Sequence, residues 1–273
     1  MKEIQYSGND GLPLFAVSLE SKSNTPKSTL IFLHGGGPDH HSLLPLAKSF
    51  QGAYTAILPD LRGYGRSICR DRNCYTWRQY ADDLVYLIDT IETESIIVIA
   101  AGIGTTISLK TALRFPDKIH GLVLISIEDI ENDEGKKREI ELLEAFAACV
   151  VSDGIEAAWE PLLSFLSPVI GHMVRDAIPR SDPASIVAAA SIVYDRAFDN
   201  FEDLKGITIP TLIIPGDDDR HPAALAKSIA KSLVNGHLSD VTLSKDIMTI
   251  NDFSKTFAPT IQQFLNNFQK THQ

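Results

Sequence analysis

Residues able to do chemistry gather at four places in the chain. Asp39-His40-His41-Ser42 follows a glycine-rich run, His34-Gly35-Gly36-Gly37-Pro38. An imidazole beside a carboxylate can take and return a proton near neutral pH. His40 or His41, with Asp39, is therefore a candidate acid/base or ligand donor if one faces a pocket. The competing reading has both capping the next helix and facing solvent. Asp217-Asp218-Asp219 is a run of carboxylates, with His221 just beyond. Hard cations want several oxygens, yet an acidic loop with one functional position is the preferred reading, and neither metal nor cofactor is expected. Glu128 and Asp129 follow the strand after the Gly102 turn, where a functional acid is one reading and a solvated loop the preferred one. The fourth place is Ile96-Ile97-Val98-Ile99-Ala100-Ala101-Gly102-Ile103-Gly104-Thr105-Thr106, where an apolar run turns through small residues. Thr105, Thr106 and Ser126 carry the hydroxyls near that turn. Thr105 and Thr106 fall in the first turn of a helix, pointing away from the line of attack.

These places sit at the ends of elements that the periodicity predicts. Short apolar runs at residues 29–33, 55–58, 96–101, 121–126 and 208–214 read as buried parallel strands. Between them, helical spacing appears at 42–50, over 76–91 with Tyr80, Leu84, Leu87, Ile88 and Ile91 along one side, and after the Gly102 turn. Residues 1–25 read as an opening hairpin around Asn9-Asp10-Gly11. A helix at 223–233, a last short strand at 241–243 and a closing helix at 258–268 complete the pattern. Alternating strands and helices imply an α/β fold: a mostly parallel sheet covered on both faces, with ligands at the carboxyl ends of the strands. Residues 130–200 carry no strand signal and are punctuated by Pro161, Pro168, Pro179 and Pro183. They read as a helical insertion, leaving 1–129 and 201–273 as the core.

Ala100-Ala101-Gly102-Ile103-Gly104 resembles the small-x-nucleophile-x-small turn of the α/β-hydrolase superfamily. Three more segments are similar to that superfamily, in its proline-iminopeptidase and esterase branch. His34-Gly35-Gly36-Gly37-Pro38 resembles the His-Gly oxyanion loop. Pro59-Asp60-Leu61-Arg62-Gly63-Tyr64-Gly65-Arg66-Ser67 resembles the Asp-x-Arg-Gly-x-Gly-x-Ser loop. Pro210-Thr211-Leu212-Ile213-Ile214-Pro215-Gly216-Asp217-Asp218-Asp219 resembles the strand and loop that carry the catalytic acid. The helical stretch stands where the superfamily has its lid.

The resemblance implies a Ser, Asp/Glu, His triad in that order. The nucleophile position is Gly102, which has no side chain. The acid position matches Asp219. The histidine should follow the last strand, and residues 242–251 contain none. The implied oxyanion donors are the N–H groups of Ile103 and Gly36, with Gly35 and Gly37 beside them. They are backbone groups, so they survive the loss of side chains, and the helix N-terminus adds a field that favours negative charge. His34 is implied to brace loops. His221 could occupy the missing imidazole's place, although adjacent residues seldom face each other productively. Gly102-Ile103-Gly104 also invites a dinucleotide-binding reading with Glu128 on the ribose, but Ile107 stands where the third glycine would be.

Composition narrows the partners. The chain has 25 basic and 35 acidic residues, a net charge of −10, which argues against nucleic acid or an anionic membrane. No apolar run approaches the ~20 residues of a membrane span. Three cysteines, Cys69, Cys74 and Cys149, with no apolar signal core at 1–5, lead to an expectation of reduced thiols in the cytoplasm.

Two functions follow. The first is a non-hydrolytic member of the superfamily that binds a small carbonyl- or carboxylate-bearing molecule at the oxyanion loop. The second is an enzyme with rewired chemistry (lyase, decarboxylase, isomerase or unconventional hydrolase) using Asp219 and His40 or His41. The oligomeric state is left open.

Overall fold

The computed structural model describes residues 1–23, 28–128, 133–218 and 220–271. Eight strands form one sheet: β1 (Lys2–Ser7), β2 (Pro13–Leu19), β3 (Ser28–Leu33), β4 (Thr55–Asp60), β5 (Ser95–Ala101), β6 (Gly121–Ile125), β7 (Thr211–Ile214) and β8 (Gly236–Leu238). Their spatial order is β1-β2-β4-β3-β5-β6-β7-β8. β1, β2 and β4 pair antiparallel, and all pairs from β4–β3 onward are parallel.

The helices are α1 (Leu44–Lys48), α2 (Trp77–Ile88), α3 (Ile103–Arg114), α4 (Asp133–Asp153), α5 (Ile155–Leu163), α6 (Pro168–Ala177), α7 (Pro183–Ala189), α8 (Ala223–Ser232) and α9 (Ile250–Thr271). Central strands bury both faces, as parallel strands under two helical layers must. Along β5, Ile96, Val98 and Ala100 join the core that includes Tyr80, Leu84 and Leu109. Ile97 and Ile99 join the opposite core, with Phe257, Ile261 and Leu265. Between β6 and β7 the described residues contain only helices and turns, and Phe146, Val150, Ile155, Ala158 and Ile186 close a small core of their own there.

Two elements differ from the sequence reading. The last strand is Gly236–Leu238, and Leu243 makes only an isolated bridge to Gly216. This edge strand is short, half-exposed and lacks an apolar pattern, so periodicity passes over it. The closing helix starts at Ile250, not 258, and runs through Pro259. Phe253, Phe257, Ile261 and Leu265 recur every four residues and are all buried. That burial outweighs the one backbone donor a proline removes.

No helix among the described residues is long and apolar enough to cross a membrane.

Candidate active site

The site is built at the carboxyl ends of β3, β5, β6 and β7. At the end of β5 the chain reverses through Gly102, whose φ of 51° lies where L-residues are strained. Its N–H donates to the Ile125 carbonyl at 3.2 Å, and its own carbonyl accepts from the Thr105 N–H at 2.8 Å and the Thr105 hydroxyl at 2.6 Å. The Thr105 hydroxyl is thus spent on the turn, and the Thr106 hydroxyl donates to the Glu128 carbonyl. Gly35, Gly36 and Gly37 face the same cavity as Gly102 and Ile103. A Cβ placed on Gly102 would lie 4.0 Å from the Gly36 nitrogen and 3.2 Å from the Gly35 Cα. His34 lies beneath this loop. Its Nε2 accepts from the Leu61 N–H at 3.0 Å, which leaves the proton on Nδ1 to donate to the Gly35 carbonyl at 2.7 Å. Burial pushes its pKa below the ordinary value.

His40 and His41, the expected acid/base candidates, are not among the residues lining this cavity. The His40 ring is buried and bonded through Nδ1 to Asp60 Oδ1 at 2.7 Å. His41 Nδ1 lies 3.1 Å from Asp39 Oδ1. Asp39 caps the turn by accepting from the His41 N–H, and it takes Arg180 at 2.6 and 3.2 Å. Burial raises its pKa, but Arg180 dominates and holds it at about 2. Ligating atoms of Asp39, His40 and His41 all lie within 4.8 Å of one another, yet a cation there would have to compete with the Arg180 guanidinium. These residues thus serve the glycine loop and its contact with the inter-strand helices. Asp219 lies outside the described residues.

The structure assembles a different set. Asp218 Oδ1 accepts from the backbone N–H groups of Arg220 and His221, at 3.0 and 2.9 Å, forming a tight Asx turn. That turn swings the His221 ring back, so that Nδ1 sits 2.7 Å from the same oxygen. The other ring nitrogen, Nε2, lies 3.4 Å from Glu128 Oε2. Glu128 follows β6 and is only 13% exposed, contrary to the solvated loop expected. Its Oε1 is 3.2 Å from the point that a Cβ on Gly102 would occupy. A carboxylate therefore stands beside the place where a side chain on residue 102 would begin. Arg220 Nη2 lies 3.6 Å from Glu128 Oε2 and 2.7 Å from Glu139 Oε1 on α4.

The charges support one another. Burial opposes a charged imidazole, but the Asp218 hydrogen bond and the Glu128 carboxylate outweigh it and lift His221 to about 9. Burial likewise opposes ionisation of Glu128 and Asp218, and His221 more than compensates, holding both below the usual carboxylate range. At neutral pH the array is carboxylate, imidazolium, carboxylate.

The cavity, of about 170 Å³, has apolar walls that include Leu143, Phe146, Trp159 and Leu162, and it is also lined by Ser42, Ser126, Lys136 and Glu139. Trp159 lies so close over Gly37 that a Cβ there would come within 2.5 Å of the indole. The sequence reading weighed His221 against Asp219, one position from its partner. The signal it missed is the three-residue separation of Asp218 and His221, which an Asx turn brings face to face.

A family model described as the alpha/beta hydrolase fold matches residues 28–221. A 2-(acetamidomethylene)succinate hydrolase from Mesorhizobium japonicum is 25% identical over 235 residues, 78% of this chain and 79% of that protein. A putative carbamate hydrolase, RutD, from a Caulobacter species is 25% identical over 221 residues, covering 78% and 81%. Among solved structures, MenH from S. aureus superposes with a TM-score of 0.80 at 21% identity, covering 93% of this chain and 98% of that one. The bottromycin epimerase BotH, solved with bottromycin A2, gives 0.73 at 16% identity, covering 97% and 100%. With its eight-stranded sheet, its strand–turn–helix at Gly102 and a family match across most of its length, the chain belongs to the α/β-hydrolase fold family.

Proposed function

We propose that this protein is a non-hydrolytic member of its family: it binds a small neutral carbonyl compound under a lid formed by α4–α7 and moves a proton on the carbon beside the carbonyl. The observation that carries this reading is Glu128. Its carboxylate stands 3.2 Å from the Cβ position of Gly102 and within 3.4 Å of His221. In the reaction, Glu128 takes a proton from the α-carbon. The C–H electron pair becomes the enolate double bond, and the carbonyl oxygen takes the charge. In this reading the Gly36 and Ile103 N–H groups donate to that oxygen, and one such donor is worth ~3–4 kcal/mol of transition-state stabilisation. His221 and Arg220 keep Glu128 ionised and ready to receive the proton. Returning it to the other face of the same carbon, or to another carbon, completes an epimerisation or isomerisation with no covalent intermediate.

A carboxylate-bearing ligand is disfavoured at the turn, because Glu128 would repel it. The apolar walls instead favour a hydrocarbon body. The fold accommodates such chemistry in principle: one structural neighbour is named an epimerase.

The test compares wild type with Glu128→Gln on two readouts. Deuterium uptake from D2O by neutral ketones and β-keto esters, followed by NMR, should exceed the buffer rate and fall to it in the variant. Release of p-nitrophenol from p-nitrophenyl butyrate should stay at background in both. Ester turnover that survives Glu128→Gln overturns the reading. A binding-only role is favoured by one observation, that Glu128 already has two cationic neighbours. Ligand-induced thermal stabilisation without deuterium uptake would decide for that role.

A further inference from the structure

Ser126 directly follows β6, one strand away from Gly102: Ala101 pairs with Ile125, and the residues that follow them are Gly102 and Ser126. Both turn through a left-handed backbone, with φ of 51° and 58°. Ser126 is the one non-glycine residue with positive φ among the described residues. It lines the cavity, is 3% exposed, and its hydroxyl has no hydrogen-bond partner among the described residues. Leaving a buried hydroxyl unpaired in a strained residue costs stability twice over. Outliers of this kind cluster at ligand sites.

We infer that the Ser126 hydroxyl is a ligand contact, and that the compound this cavity takes carries a second oxygen on the carbon β to its reacting carbonyl. The class is a neutral 1,3-dicarbonyl compound with a hydrocarbon tail, a β-keto ester being the simplest example. This rests on the proton-transfer reading above and deepens it. Gly102 and Ser126 follow neighbouring strands, which lie ~4.8 Å apart, so one oxygen at the Ile103 amide, next to Gly102, and another at Ser126 match a 1,3-spacing rather than adjacent or remote oxygens. The chemistry agrees. Glu128, held ionised by two cations, is a weak base, and a C–H between two carbonyls is far more acidic than one beside a simple ester. The tail would lie against Phe146, Trp159 and Leu162.

The experiment is calorimetric titration of ethyl 3-oxohexanoate and ethyl hexanoate into wild type, Ser126→Ala, Ser126→Gly and Glu128→Gln. Wild type should bind the oxo ester about tenfold more tightly, the worth of one hydrogen bond to a buried hydroxyl. Both Ser126 variants should bring the two affinities within about twofold. Ser126→Gly should also raise the Tm, because glycine relieves the positive φ, so its lost preference cannot be ascribed to unfolding. A preference that survives both substitutions overturns the inference, as does equal or undetectable binding of the two esters by wild type. Glu128→Gln should keep the preference. Deuterium uptake that persists in Glu128→Gln sinks the base reading alone, leaving the Ser126 contact standing or falling on its own affinities.

Discussion

The Glu128 carboxylate occupies the space that a side chain on Gly102 would need: Oε1 is 3.2 Å from that Cβ position, and the Gly35 Cα is 3.2 Å from it on the other side. Gly102→Ser therefore meets two neighbours and a φ of 51°. It should destabilise the protein by about 1–3 kcal/mol in urea unfolding and should not create an esterase, since the His221 imidazole already faces Glu128. A stable Gly102→Ser variant that turns over p-nitrophenyl butyrate refutes this account.

Stability should depend on pH through His221. Its folded pKa, about 9, is above the ordinary 6.5. The stabilisation it confers is therefore complete below pH ~6.5 and lost as pH rises through about 9, by up to about 3 kcal/mol. Glu128 and Asp218, both depressed, act oppositely: their contribution is present above the ordinary carboxylate range and is lost as pH falls through their folded values. Chemical denaturation from pH 6 to 10 should show the alkaline decline in wild type, and His221→Gln should flatten it.

His40 is predicted to matter for folding and not for ligand binding. Its ring is 2.7 Å from Asp60 and away from the cavity. His40→Ala should cost about 1–3 kcal/mol, the price of stranding a buried partner, while leaving ester affinity within twofold. A large loss of affinity in a folded His40→Ala protein would restore the histidine pair to the site.

Arg220 is shared between Glu139 at 2.7 Å and Glu128 at 3.6 Å. Glu139→Gln should let the guanidinium close on Glu128 and lower that carboxyl's pKa further. Carboxyl-carbon NMR titration reads this directly. In an Arg220→Gln background the effect of Glu139→Gln should vanish, and its persistence would show that α4 acts on Glu128 by another route.

Much of the frame was legible because its signals are local. The apolar runs of β3 to β7 and the glycine-rich loops read as strands and turns without knowledge of their neighbours. The Gly102 turn was placed by its small residues alone. The partnership of Glu128 with His221 was not legible, since it depends on β6 and β7 lying side by side, with Leu122 to Ile125 in register with Thr211 to Ile214. Residues 128 and 221 are far apart in the chain, and neither carries a periodic signal. His40 misled for the complementary reason. Its neighbour Asp39 suggested a catalytic pair, while its actual partner, Asp60, is twenty residues on, at the end of β4.

The indole stacked over Gly37 has one more consequence. The chain contains two tryptophans, and both Trp77 and Trp159 border the cavity. Its tryptophan emission, excited at the red edge where the seven tyrosines absorb little, therefore comes from the walls of the site. Occupancy of the cavity should shift or quench that light, so the unlabelled protein carries its own optical gauge for screening compounds.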